Sequence, residues 1–158
     1  MKTASLTTIE QNDNVSLYSI CFAGYTESEF ERFLKEFKDN SEYNKDFRII
    51  LLAIEKIIDK GALKRFFRNE GKMSDGVCAL SIDSKKLRLY CLRISDSILI
   101  LGNGGVKDTR TYNEDEKLSG YVIDLQKFEN LLKKAQKKGV ISIEKNYITE
   151  IQTATFDL

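Results

Sequence analysis

Residues 76–101 read GVCALSIDSKKLRLYCLRISDSILIL. Three apolar or alternating runs, 77–82, 87–94 and 98–101, are parted by the polar groups Asp83-Ser84-Lys85 and Ser95-Asp96-Ser97. A period of two marks half-buried strands, and links this short can join only antiparallel neighbours. The stretch therefore predicts an antiparallel meander. Helical periodicity lies on both sides of it, which makes the class α+β.

Upstream, Phe47, Ile50, Leu51, Ile54, Ile57 and Ile58 recur at helical spacing, and Gly61 follows where a left-handed C-cap would fall. A shorter amphipathic helix precedes it, carried by Phe30, Phe33, Leu34 and Phe37, with Thr26 and Glu29 spaced as a capping box. Leu63, Phe66 and Phe67 suggest a further turn before Gly71. Residues 4–23 interleave Leu6, Ile9, Val15, Leu17, Ile20 and Phe22 with polar residues around Asn12-Asp13-Asn14, which predicts a strand, a turn and a second strand.

Downstream, Gly102-Asn103-Gly104-Gly105 is read as the end of the third meander strand. Leu118, Tyr121, Val122, Leu125, Phe128 and Leu132 then keep helical spacing, with Gly120 a point at which the run could split ahead of a cap at Asp124. The tail around Lys145-Asn146 is expected to form a last hairpin. No repeat or linker interrupts the chain, so one domain over residues 1–158 is expected.

Composition narrows the function classes. At 158 residues, 42% hydrophobic and 31% charged, the chain can bury about two-thirds of its unfolded surface and needs neither metal nor disulfide to fold. The longest apolar stretch, residues 49–54, falls far short of the roughly 20 needed to cross a bilayer, and the polar opening MKTASLTTIEQND does not read as a secretory leader. A cytoplasmic protein without membrane partners is expected. Cys21, Cys78 and Cys91 lack the paired spacing of zinc ligands and read as buried thiols, so no metal or other cofactor is expected. The chain contains no His, which removes the usual general base; any catalysis must run on Lys, Arg, Tyr or carboxylates.

Charge is unevenly spread. Residues 1–59 carry 7 Lys/Arg against 11 Asp/Glu, residues 60–93 carry 9 against 3, and residues 94–158 carry 9 against 10. The positive excess lies in the middle, where an anionic partner would feel it. After Lys60 at the end of the helical run, its members are Lys64, Arg65, Arg68, Lys72, Lys85, Lys86, Arg88 and Arg93. Strand alternation puts Lys86, Arg88 and Tyr90 on one face and Leu87, Leu89, Cys91 and Arg93 on the other. Two cations and a stacking ring on one face suit single-stranded RNA, while a solvated outer face explains the same residues equally well. The glycine cluster, followed by Lys107 and Arg110, reads either as a phosphate-facing loop or as a plain turn, and the pattern alone favours the turn. The acidic run Glu114-Asp115-Glu116 is taken as a helix start.

The order strand, helix, helix, meander, helix resembles the RelE/ParE superfamily, and the stretch KLRLYCLRISDSILILGNGGVKDTRTY is similar to its phage-derived HigB-like branch. That branch carries an Arg in a "yRilyf" strand, a short turn, an apolar strand and a glycine-containing loop running into "vKKTxkTP". Here these read as Arg88 in KLRLYCL, Asp96 in the turn, ILIL, Gly104-Gly105 and VKDTRTY. The resemblance covers residues 43–135 and leaves 1–42 and 136–158 as extensions. It implies a RelE-like antiparallel sheet packed against two N-terminal helices, with an added N-terminal β-hairpin and a C-terminal helix plus hairpin.

It further implies the toxin of a type II toxin–antitoxin system: an mRNA interferase acting on RNA, typically ribosome-bound message, and neutralised by a cognate antitoxin, a small helix-turn-helix protein. RelE-like enzymes cleave by attack of a 2′-OH on the adjacent phosphate. Carried over by motif, Arg88 would bind the phosphate, Lys107 and Arg110 would stabilise transition-state charge, and Tyr112 would transfer a proton. Lys64, Arg65, Arg68, Lys72, Lys86 and Tyr90 would bind RNA. The chain departs from the pattern at Ala79 and Ser81, where an acid and a base are common, and at Asp108, which replaces the second Lys of the "vKK" pair. Those departures point to the alternative, a catalytically inactive RelE-fold protein that binds a protein partner or nucleic acid.

Overall fold

In the computed structural model, residues 2–71, 75–80, 86–107 and 116–158 are described. The chain opens with β1 (Thr3–Gln11) and β2 (Ser16–Phe22). Helix α1 (Glu29–Phe37), a 3-10 turn (Ser41–Tyr43) and α2 (Asn44–Lys60) follow. A second 3-10 turn (Lys64–Phe66) leads into β3 (Phe67–Asn69), β4 (Val77–Leu80), β5 (Leu87–Ser95) and β6 (Ile98–Val106). Helix α3 (Glu116–Lys137) and β7 (Phe156–Asp157) complete it.

Among the described residues the strands form one seven-stranded sheet in the order β3-β4-β5-β6-β2-β1-β7. The expected meander is present as β4, β5 and β6, each antiparallel to the next. The N-terminal hairpin is not an appendage: β2 pairs with β6 in parallel, Ser16 opposite Ile98 through Ser19 opposite Leu101. The sheet is therefore mixed rather than purely antiparallel. The C-terminal hairpin is reduced to one bridge between Ile143 and Ile148, and the true last strand, β7, pairs with β1.

Both faces are covered. Phe33, Phe37, Phe47, Ile50, Ile54 and Ile57 of α1 and α2 pack on Leu17, Leu87, Leu89, Cys91, Leu99 and Leu101. Leu118, Val122, Leu125, Phe128 and Leu132 of α3 pack on Tyr18, Ile20, Ala79, Tyr90, Leu92 and Ile100. Each such fully buried apolar side chain contributes about 1.5–3 kcal/mol.

Local choices follow the sequence closely. Ser28, not Thr26, caps α1, its hydroxyl accepting from Glu31 N–H while the Glu31 carboxylate accepts from Ser28 N–H. The box thus sits two residues later than expected, and Glu29 falls inside the first turn. Gly61 ends α2 at φ 98°, and a Cβ there would lie 2.8 Å from the Asp96 carbonyl oxygen. Cys78 and Cys91 are buried free thiols, as expected, whereas Cys21 is half-buried.

The glycine cluster is a correction. Gly102, Asn103, Gly104 and Gly105 lie within β6 rather than ending it. A Cβ on Gly102 would stand 3.2 Å from Leu125 of α3, and one on Gly105 equally close to Leu118. The missing side chains are the seat on which α3 rests. At Gly104 a Cβ would lie 1.9 Å from the Arg88 carbonyl oxygen, beside a register shift between Leu89 and Cys91. Gly120, by contrast, sits inside a continuous α3, and among the described residues an added Cβ would meet nothing within 4 Å beyond the helix's own backbone. Gly104→Ala should therefore lower the denaturation midpoint by about 1–3 kcal/mol equivalent, and Gly120→Ala should raise it by about 0.5–1 kcal/mol. Urea unfolding of the two variants beside the parent checks both signs.

Candidate nucleic-acid interface

The meander registers bring four of the expected cations to one end of the sheet. Arg68 on β3 lies opposite Ala79 on β4, and Ala79 lies opposite Tyr90 on β5. Arg88, two residues from Tyr90, points to the same face and sits opposite Gly105 of β6. Lys107 N–H donates to the Lys86 carbonyl at 2.7 Å, so extending the ladder sets Lys107 against Lys86 on the side of Arg88. Arg68 of β3, Arg88 of β5, Lys86 just before β5 and Lys107 just after β6 thus share one face, as a strip, at this end of the sheet.

The strip is held from behind. The Asp46 carboxylate, in the first turn of α2, accepts from Lys86 N–H at 2.9 Å and Leu87 N–H at 3.1 Å and fixes the start of β5. Arg88 is half-buried, and its Nη1 donates to the Leu87 carbonyl. Burial, and then the nearby Arg68 charge, lower its pKa from the usual guanidinium value, against the opposing pull of Tyr90, Glu70 and Asp46. Arg68 is exposed and pairs with Glu70 at 2.9 Å.

The other expected residues divide. Lys64 and Arg65 are exposed in the turn before β3, where the Arg65 guanidinium lies 5.0 Å from the Phe66 ring centroid. Lys64 and Arg68 line a groove of about 270 Å³ with Phe67, Asp75, Cys78 and Arg93. Arg93 is committed to structure: its Nε donates to the Ala62 carbonyl at 2.7 Å and its Nη2 to Asp96. Lys72, Arg110 and Tyr112 lie outside the described residues, as do Ser81 and Asp108.

Tyr90 is a correction. Alternation assigned it to the right face, but α3 covers that face and leaves Tyr90 0% exposed, so it cannot stack on a base. The expectation treated the Lys86 face as the outer face of the sheet, and a sheet clad on both sides has none.

A second polar constellation escaped the sequence reading. Glu29, Asn103 and Asp124 meet with Tyr121 around a cavity of about 10 Å³, where β2 and β6 part beyond their paired residues. That volume holds about one water molecule. Asn103 Oδ1 accepts from Gly104 N–H at 2.8 Å, and Glu29 pairs with Arg32 at 2.8 Å. Burial raises the Glu29 pKa, against the lowering influence of Arg32 and Asn103. The only signal in the sequence was an Asn between glycines in an apolar strand. Among the described residues no group of acidic or Cys side chains could hold a metal ion, and no helix is long and apolar enough to cross a membrane.

No family model matches the chain, and no curated protein or solved structure matches it.

Two outcomes follow from these placements. Tyr90→Ala should cost about 3–5 kcal/mol in denaturant unfolding, as for a buried aromatic, whereas Lys86→Ala should stay within about 0.5 kcal/mol. Glu29 has its folded pKa raised, so its stability contribution is full below the ordinary glutamate value and is lost as pH rises through the folded one. Glu29→Gln should then gain on the parent as pH rises above the ordinary glutamate value of about 4.3; a difference that does not change with pH would contradict the assignment.

Proposed function

We propose that the protein is a RelE-like toxin that grips single-stranded RNA along the Arg68–Arg88–Lys86–Lys107 strip. One observation carries this reading: the ladder registers bring Arg68 of β3, Arg88 of β5, Lys86 just before β5 and Lys107 just after β6 to one end of one sheet face. Guanidinium groups meet phosphate oxygens through paired donors, and lysines add point charge, so a row of both fits a phosphate backbone. In the cleaving form of the reading Arg88 binds the scissile phosphate, Lys107 and Arg110 neutralise charge developing on it, and Tyr112 moves a proton. The partner that silences it would be a small helix-turn-helix antitoxin, and the site of action ribosome-bound message in the cytoplasm.

A second reading, a catalytically silent RelE-fold protein that binds nucleic acid or a protein partner, is favoured by one feature. Ala79, where an acid is common in the family resemblance, is itself buried beneath α3. A general acid or base cannot act from that place.

Affinity for a short RNA should fall with salt at a log–log slope of about −2 to −3, the value for three or four phosphate contacts on a single strand. Arg68→Ala and Arg88→Ala should each flatten that slope. Arg88→Ala should also abolish growth arrest on induced expression, with cleavage of message lost on a gel. Steep salt dependence with intact message and unimpaired growth selects the silent form. A flat salt response removes the strip from both readings.

A further inference from the structure

A groove of about 300 Å³ opens where β6 leaves the sheet, between the last turn of α1, the Ser41–Tyr43 turn and the first turn of α3. Phe37, Tyr43, Val106 and Leu118 give it apolar walls, Gly105 leaves part of it without a side chain, and Asn40 stands among them. The Glu36–Lys117 ion pair, 3.5 Å, lies on its border. The Phe37 and Tyr43 rings pack edge to face at 6.1 Å, fixing one aromatic against the other.

We propose that this groove is a nucleobase pocket, holding one unpaired base of an RNA strand whose phosphates lie on the neighbouring cations. The inference rests on the RNA reading above and adds to it the part of the substrate that is recognised. Continuity argues for it. Val106 of the groove immediately precedes Lys107, and Gly105 of the groove lies opposite Arg88. Among the described residues that line it the groove has one cation, Lys117, and that is tied to Glu36. An occupant must therefore be largely apolar inside while bearing its negative charge outside, towards Lys107 and Arg88. A nucleotide within a chain has that division. The volume sits at the lower end of small-ligand sites, which suits one base rather than a stacked pair.

Asn40 supplies the polar contact. Its Oδ1 accepts from Glu42 N–H at 3.0 Å, capping the 3-10 turn, and its Nδ2 makes no hydrogen bond among the described residues. An amide donor held beside an apolar slot can read an acceptor on a base edge.

The test compares short fluorescent oligoribonucleotides with an abasic strand of equal length, by anisotropy over a salt series. The base-bearing strand should bind about 5- to 100-fold tighter than the abasic one, the range for one base packed on an aromatic group, with the same salt slope. Asn40→Ser keeps a capping oxygen for Glu42 N–H and removes the amide. It should melt with the parent, bind the abasic strand equally and lose about 5-fold or more on the preferred base. Equal affinity for both strands with a steep slope overturns the pocket and leaves the cation strip standing. A preference for bases with a flat slope does the reverse. Binding to neither strand at low salt overturns both.

Discussion

The parallel seam between β2 and β6 is the constraint on which the rest of the structure depends. Parallel neighbours cannot be joined by a tight turn, so everything between them, α1, α2, β3, β4 and β5, belongs to one long crossover. The seam is tied by side chains as well as by its ladder. Ser19 Oγ donates to the Leu101 carbonyl at 2.7 Å and accepts from Phe30 N–H at 3.1 Å, so one hydroxyl joins β2, β6 and the first turn of α1. Tyr18 on the opposite face accepts from Ile148 N–H at 3.0 Å, and the Ser16 hydroxyl donates to the Asn146 carbonyl. The irregular tail is thereby fastened across the sheet without needing strand structure of its own.

A strand at such a seam is buried on both faces, and this explains where local reading worked and where it stopped. The helical stripes of α1 and α2, the positive-φ glycine at 61 and the meander all follow from spacing that neighbours in sequence impose. Pairing of β2 with β6 joins residues more than 80 positions apart, and no periodicity encodes it. The same gap misled the reading of Tyr90 and of the glycine run. Alternation identifies two faces but not what lies against them. Glycines close to one another read as a turn when the chain is viewed alone, whereas here they let Leu118 and Leu125 approach the sheet backbone. Their freedom of φ is not what is used; their lack of a Cβ is.

The basic residues were legible as a group and not as a site. Of the cations counted between residues 60 and 93, Arg93 closes the turn after β5 through Asp96 and Ala62, and Arg65 lies against Phe66. Arg68, Lys86 and Arg88 gather only because β3, β4 and β5 stand in one register, and Lys107 joins them only because β6 continues past the glycines. Phe37, Asn40, Tyr43 and Leu118 could not have been grouped from sequence at all, since three elements and a turn converge on that groove.

The half-buried position of Arg88 bears on what an anion would gain there. Burial and the Arg68 charge both disfavour its charged form, yet an arginine stays protonated at neutral pH. The fold therefore keeps two guanidinium groups closer than their charges favour, with Glu70 and Asp46 offsetting part of the cost. A phosphate between them would turn that repulsion into shared attraction, in surroundings where charge–charge interactions are stronger than in bulk water. On the proposed reading, a bound phosphate would offset part of that repulsion. Anion binding and fold stability would be linked through Arg88, because a ligand that binds only the native arrangement raises its stability by mass action.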